Sequence, residues 1–301
     1  MGAGVTGQKA GTGAIGVLCI LAAVFCFSLI DSVTQYVVRT VPIFMALFVR
    51  YILQTVITTA FLLPIHGRKL VQTQKPLLQL VRGLLIIVST MLAFKSLKVV
   101  PVGEFTAILM MTPMLVTFLA VLFLGERPRR SSWFYVLFGF IGMLFIVRPG
   151  VEVSGGLGWD AIWPLGCLLS SSAFQLISSY LGRSEKPVTT HFYSTIIGMV
   201  CACVIVPPFW SMIEDPFIWL LMTIMGTMGA LGHYLLSIAY QKAPASTLMP
   251  YVYCQVGFAV LAGWIAFSHV PDHWAMVGIG LIALSGLANA LDMMRANKTA
   301  T

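Results

Sequence analysis

The sequence predicts an all-α integral membrane protein, with ten transmembrane helices arranged as two inverted five-helix repeats around a central cavity. Three observations predict this class. Apolar stretches recur near Ala14–Val38, Pro42–Ile65, Leu77–Leu97, Val102–Leu124, Ser131–Val147, Ile162–Leu181, Val188–Phe209, Phe217–Tyr240, Ala245–Phe267 and Trp274–Met293. Most reach the roughly 20 residues a helix needs to cross a hydrocarbon core; Ser131–Val147 is short and must borrow its flanks. Landmarks also recur 143 to 145 residues apart: Ser28 with Ser172, Asp31 with Gln175, Pro42 with Pro187, Pro101 with Pro244, and Pro128 with Pro271. Five spans is an odd number, so the second copy enters the membrane from the opposite side. Transporters use that layout to rock two units about a site held between them.

The third observation is where the positive charge falls. With the amino terminus cytoplasmic, the inner segments hold twelve Lys or Arg residues (Lys9, Arg68, Lys69, Lys75, Arg127, Arg129, Arg130, Arg183, Lys186, Lys242, Arg295 and Lys298). The outer segments hold four, namely Arg39, Lys95, Lys98 and Arg148. By the positive-inside rule both termini face the cytoplasm of a multi-pass inner membrane protein. The rule also tests the inversion. Arg127-Pro128-Arg129-Arg130 joins the fourth and fifth spans, while its counterpart Val270-Pro271-Asp272-His273 has neither Lys nor Arg. Lys75-Pro76 is mirrored in the same way by Asp215-Pro216.

Composition excludes other classes. At 58% hydrophobic and 9% charged residues the chain is neither an ordinary soluble domain nor disordered. Its net charge of +8 is explained by membrane orientation and gives no support for a nucleic-acid partner. The six cysteines all lie in apolar spans and read as packing residues. The apolar run from Ala14 is too long for a cleaved signal and reads as the first span. The halves are 14–148 and 161–294, joined by a Gly-rich linker at 149–160 that lacks the Gly-Lys-Ser/Thr of a phosphate loop.

The order of the first half carries a family likeness. Leu97-Lys98-Val99-Val100-Pro101-Val102-Gly103-Glu104 leads into a span with mid-helix Thr112-Pro113, which ends Leu122-Phe123-Leu124-Gly125-Glu126-Arg127. Gly139 and Gly142 follow, before Val147-Arg148-Pro149-Gly150. This order, with Pro42 and Arg50 at the start of the second span, resembles the EamA-type transporters of the drug/metabolite transporter superfamily. The second half departs from it, with His269-Val270 in place of Glu126-Arg127 and Val256 in place of Pro113. The resemblance implies a ten-helix bundle whose cavity opens alternately to either side. Spans three, four, eight and nine would line it with help from one and six, and spans five and ten would pack through Gly139, Gly142, Gly278, Gly280 and Gly286.

Candidate substrate contacts follow from polar residues inside the spans, which should face protein or water rather than lipid. Ser28, Asp31, Ser32 and Gln35 form one stripe on the first span, and Ser171, Ser172, Gln175, Ser178 and Ser179 repeat it on the sixth. Asp31 and Arg50 fall at similar depths, about 9 and 12 Å from the outer face at ~1.5 Å per residue. Each would cost on the order of 2.5–3.5 kcal/mol if isolated at the bilayer centre. They read either as a structural ion pair or as groups for which substrate or a proton competes. Glu104 caps a helix or guards the outer mouth; Arg82 and Lys95 read as snorkelling to the interfaces. His233 is a candidate proton relay. Tyr234, Tyr251, Gln255, Phe105 and Trp264 complete the candidate wall, with interfacial anchoring as the alternative for the aromatics.

These features describe a secondary active transporter for a small polar or amphipathic organic metabolite. An amino acid or related amine, exported, is the first expectation. Uptake of a larger nutrient such as riboflavin or S-adenosylmethionine, which similar proteins carry, is the second. A non-transport structural or receptor protein is the alternative of another class. No nucleophile–base set or metal cluster points to an enzyme, and no cofactor is implied. Protons are a candidate coupling partner, and a monomer or weak homodimer is expected.

Overall fold

A computed structural model describes residues 10–124, 130–147, 157–181, 184–242 and 251–299. Pro128, Pro244, Arg127 and most of the 149–160 linker lie outside the described residues. Among those described are eleven α-helices: α1 Ala10–Thr40, α2 Ile43–His66, α3 Pro76–Val99, α4 Val102–Leu109, α5 Thr112–Leu124, α6 Arg130–Val147, α7 Ile162–Leu181, α8 Pro187–Ile205, α9 Pro216–Lys242, α10 Cys254–Phe267 and α11 His273–Thr299. Six stretches are long and apolar enough to cross a membrane: Ile15–Thr40, Ile43–Leu70, Pro76–Val99, Gly158–Ser178, Val188–Ile205 and Pro216–Leu236. Val102–Val116, Trp133–Ile146, Cys254–Phe267 and His273–Asn289 are shorter apolar helices.

Proline sets the helix boundaries. Pro42 (φ −55°, ψ 134°) and Pro101 (φ −59°, ψ 148°) are extended and restart the chain as α2 and α4. Pro76 and Pro187 occupy first-turn positions of α3 and α8, where the missing N–H costs nothing. The expected fourth span is not one helix. It breaks at Met110–Met111 between α4 and α5, and a matching turn at Tyr253 precedes α10, 143 residues on. Pro113 explains the first break, because it has no N–H to donate to the carbonyl four residues back and so cannot continue α4.

The helices pair in a regular pattern. α1 packs on α9 and α3 on α7, while α2 meets α8 and α6 meets α11. One apolar cluster joins α1, α2, α3, α8 and α9 through Val38, Met45, Phe94, Ala202 and Met222. A second joins α4, α7, α10 and α11 through Ile108, Leu168, Val256 and Ile282, with Ile146 of α6. Large apolar side chains such as Phe61, Phe134, Leu169, Val204 and Leu284 cover the outside, as lipid requires. With lipid as apolar as the side chains, close packing through small residues holds such a bundle. A β-carbon on Gly142 would lie 2.9 Å from the Gly278 carbonyl oxygen, and one on Gly278 2.5 Å from that of Gly142.

Candidate functional site

The polar interior is built around α2. Gly226 and Gly229 let α9 approach closely: a β-carbon on Gly226 would meet Leu53 at 2.5 Å, and one on Gly229 would meet Gln54 Oε1 at 3.1 Å. That approach positions Arg50, whose guanidinium lies over the Phe94 ring of α3, 5.6 Å from its centroid. Among the described residues Arg50 has neither a hydrogen-bond nor an ion-pair partner, and its Nε is buried. Asp31 is half-buried on α1 and accepts a 3.4 Å hydrogen bond from Gln255 Nε2 of α10. Among the described residues no ion pair joins Asp31 to Arg50. The structural ion pair offered as one reading of the sequence is therefore not formed here; Gln255 is the group that contacts the carboxylate.

A second polar layer lies toward the carboxy-terminal end of α2 from Arg50. Tyr51 and Thr90 share a 2.9 Å hydrogen bond between their hydroxyls. Thr55 donates to the Thr195 carbonyl at 2.9 Å, and Thr58 is hydrogen-bonded to His191 Nε2 at 3.1 Å. His191 and His233 lie 6.1 Å apart between ring centroids, and Phe27 packs 5.0 Å from His233. Arg82 does not snorkel. Its Nε donates to Ser178 Oγ at 2.7 Å, and its Nη1 donates to the Thr190 carbonyl at 2.7 Å and to Ser194 Oγ. The guanidinium also stacks on Phe174 at 4.4 Å, so Arg82 ties α3 to α7 and α8.

The remaining candidates divide. Gln35 is buried and donates to the Val100 carbonyl at 3.1 Å, fastening α1 to the turn before α4. Gln175 is exposed on α7, and Tyr234 and Tyr251 are half-buried on the two sides of the interior. The side chain of Ser179 lies outside the described residues. Glu104 is buried in the first turn of α4 and makes no capping hydrogen bond; its Oε1 accepts from His269 Nε2 at 3.0 Å, and among the described residues its Oε2 has no partner. Phe105 is fully buried among Val102, Leu97 and Ala259, and Trp264 is 58% exposed on the outer surface. Neither is gathered with the others around Arg50.

Gln54 and His191 were passed over in the sequence, and Arg82 was assigned to the interface. Neither Gln54 nor His191 has a polar counterpart at the repeat spacing, although Arg50, Gln54 and Thr58 recur every four residues along one face of α2. The assembled interior holds charges and amides without a nucleophile–base arrangement, and among the described residues no group of three metal-ligating side chains occurs.

The fold and its polar interior define a polytopic membrane transporter. The profile of the EamA-like transporter family matches residues 14–148 and 158–289, and the chain belongs to that family. It is a transporter rather than an enzyme, and its substrates are small molecules. The chain is 28% identical over 273 residues to a riboflavin transporter of Vibrio cholerae, covering 90% of this chain and 91% of the relative. It is 23% identical to an S-adenosylmethionine uptake transporter of Rickettsia felis, covering 84% of each. It is 26% identical to a pseudopaline exporter of Pseudomonas aeruginosa, covering 91% of this chain and 95% of the relative. A crystal structure of a protein 17% identical superposes with a TM-score of 0.66 over 94% of this chain and 99% of its own, a likeness in fold.

Proposed function

We propose that this chain is a secondary transporter for a heterocyclic nutrient of the riboflavin kind, working by alternating access in the inner membrane. The observation that carries the proposal is Arg50, a cation held in the bundle against Phe94 with no hydrogen-bond or ion-pair partner among the described residues. An interior cation so placed is balanced by Asp31 nearby and left open to a ligand acceptor. The V. cholerae relative, named a riboflavin transporter, and the R. felis relative, named an S-adenosylmethionine uptake transporter, favour a heterocycle, and the second favours inward movement, over the amine exporter that Asp31 alone would favour. The amine reading keeps one support, the half-buried carboxylate of Asp31.

Two inverted repeats, 14–148 and 161–294, with both termini cytoplasmic, form the mechanical frame of this proposal. Exchanging the halves maps the α1–α9 contact onto α7–α3 and leaves the α2–α8 and α6–α11 contacts in place, as such a repeat requires. Protein reconstituted in liposomes should accumulate radiolabelled riboflavin in their lumen, with S-adenosylmethionine competing and lysine or putrescine without effect. Exchange of the amine alone would reverse the substrate assignment. For orientation, a cysteine at Gly67 should be shielded from an impermeant thiol reagent in intact cells and one at Asp272 should react, in a background lacking the exposed Cys203 and Cys254. The opposite pattern would invert the topology.

A further inference from the structure

Arg50 and Gln54 are one turn apart on α2, and the tips of both reach α9 at Gly229. A side chain beginning at Gly229 would meet Gln54 Oε1 at 3.1 Å and Arg50 Nε at 3.7 Å. Both atoms are buried, and neither has a hydrogen-bond partner among the described residues. They do not satisfy one another, although one is a donor and the other an acceptor. Leaving either group empty inside a protein is costly, so two empty groups side by side mark a place that another molecule fills. The guanidinium lies over Phe94, and Gly229 brings the α9 backbone against both side chains, so a ligand edge reaches the two groups when α9 draws back.

We propose that Arg50 and Gln54 read the edge of a nitrogen heterocycle on which a hydrogen-bond acceptor and an N–H donor are neighbours. The guanidinium donates to the ring acceptor, and Gln54 Oε1 accepts from the adjacent N–H. The carbonyl and ring N–H of a flavin present that order, as do the ring nitrogen and exocyclic amine of adenine. An ammonium fails on one group, since it satisfies Gln54 but strands Arg50, whereas a ring edge carrying both an acceptor and a donor meets the pair as the amide stands. Asp31, steered by Gln255, faces the remainder of the ligand, where hydroxyl or amine donors would meet it. This inference rests on the transport reading above and adds to it the atoms that select.

Binding to the purified full chain tests it through flavin fluorescence, with riboflavin and 3-methylriboflavin as probes. The methyl group blocks the ring N–H and leaves the carbonyl in place. Wild-type protein should bind 3-methylriboflavin about tenfold or more weakly, because a site built to hydrogen-bond a group rejects the analogue lacking it. In Gln54→Leu, riboflavin should weaken until the two probes bind alike. Arg50→Lys should weaken both probes together, since an ammonium keeps the charge but not the planar donor edge. Equal binding of the two probes to the wild type overturns the proposal without any variant. Discrimination that persists in Gln54→Leu, with an unchanged thermal transition, overturns it as well. Failure of the wild type to bind riboflavin, together with failure to bind S-adenosylmethionine by calorimetry, refutes the heterocycle assignment on which this inference rests.

Discussion

Gly278→Val should sharply destabilise the protein, while Gly280→Val, one helical step away on α11, should leave it nearly unchanged. A β-carbon at Gly278 would lie 2.5 Å from the Gly142 carbonyl oxygen, 2.7 Å from Ile146 Cγ1 and 3.2 Å from Phe145 Cβ. The first obstacle is backbone and cannot rotate aside, so α6 and α11 must separate. Overpacking of this kind costs typically 1–3 kcal/mol, occasionally more, and here it strikes the seam that joins the two helices. At Gly280 a β-carbon meets nothing within 4 Å. Thermal unfolding in detergent, read for both variants beside the wild type, decides the matter. Equal losses would mean that the Gly142–Gly278 contact does not set the cost of a side chain on this helix. An unaffected Gly278→Val would mean that the α6–α11 seam is not as close as described.

That contrast shows what was legible in the sequence. A glycine-mediated packing of the last helices of each half was implied by the family resemblance, and their glycines suit it because close helix approach in lipid needs small residues. Which glycines make the approach depends on helix rotation, and apolar faces turned toward lipid and toward other helices look alike in sequence. The same ambiguity hid the role of Arg82. Its position near the start of a span fits snorkelling equally well, and only the placement of Ser178, Thr190 and Ser194 on two other helices turns it inward. Asp31 and Arg50 were legible as interior charges because ions in a span are expensive. Their separation was not, since depth along two helices says nothing of the distance across them. Phe105 and Trp264 were grouped with the site on aromatic character, which buried packing and lipid contact share.

Locking Glu104 to His269 should stop transport. These two side chains join the start of α4 to the segment after α10, 165 residues apart in sequence, with Nε2 and Oε1 3.0 Å apart. Around them Gly103 takes Val260 at 3.3 Å from its would-be β-carbon, Gly263 takes Val102 at 3.1 Å, and Arg39 of α1 lies over Phe267 at 5.2 Å. Together with the Gln35–Val100 hydrogen bond, these contacts close the end of the bundle that the proposed orientation puts outside. Ser268 turns the chain there with φ +51°, and its N–H caps the Trp264 carbonyl, which aims His269 back at α4. If the outer mouth must open in each cycle, a Glu104→Cys/His269→Cys protein bridged by a short bifunctional thiol reagent should bind substrate from the inner side yet carry none across. Cleaving the bridge should restore the rate of the unbridged protein. Glu104→Gln should act in the opposite sense: a neutral amide holds His269 less well, so the outward-open state gains population and a thiol probe at Gly103 reacts faster. A ligand shifts such a balance only by binding one state better, so substrate added from inside should slow that labelling if it favours the closed state. Undiminished transport through the bridged protein would show that the α4–α10 closure is permanent structure and that the solute passes elsewhere.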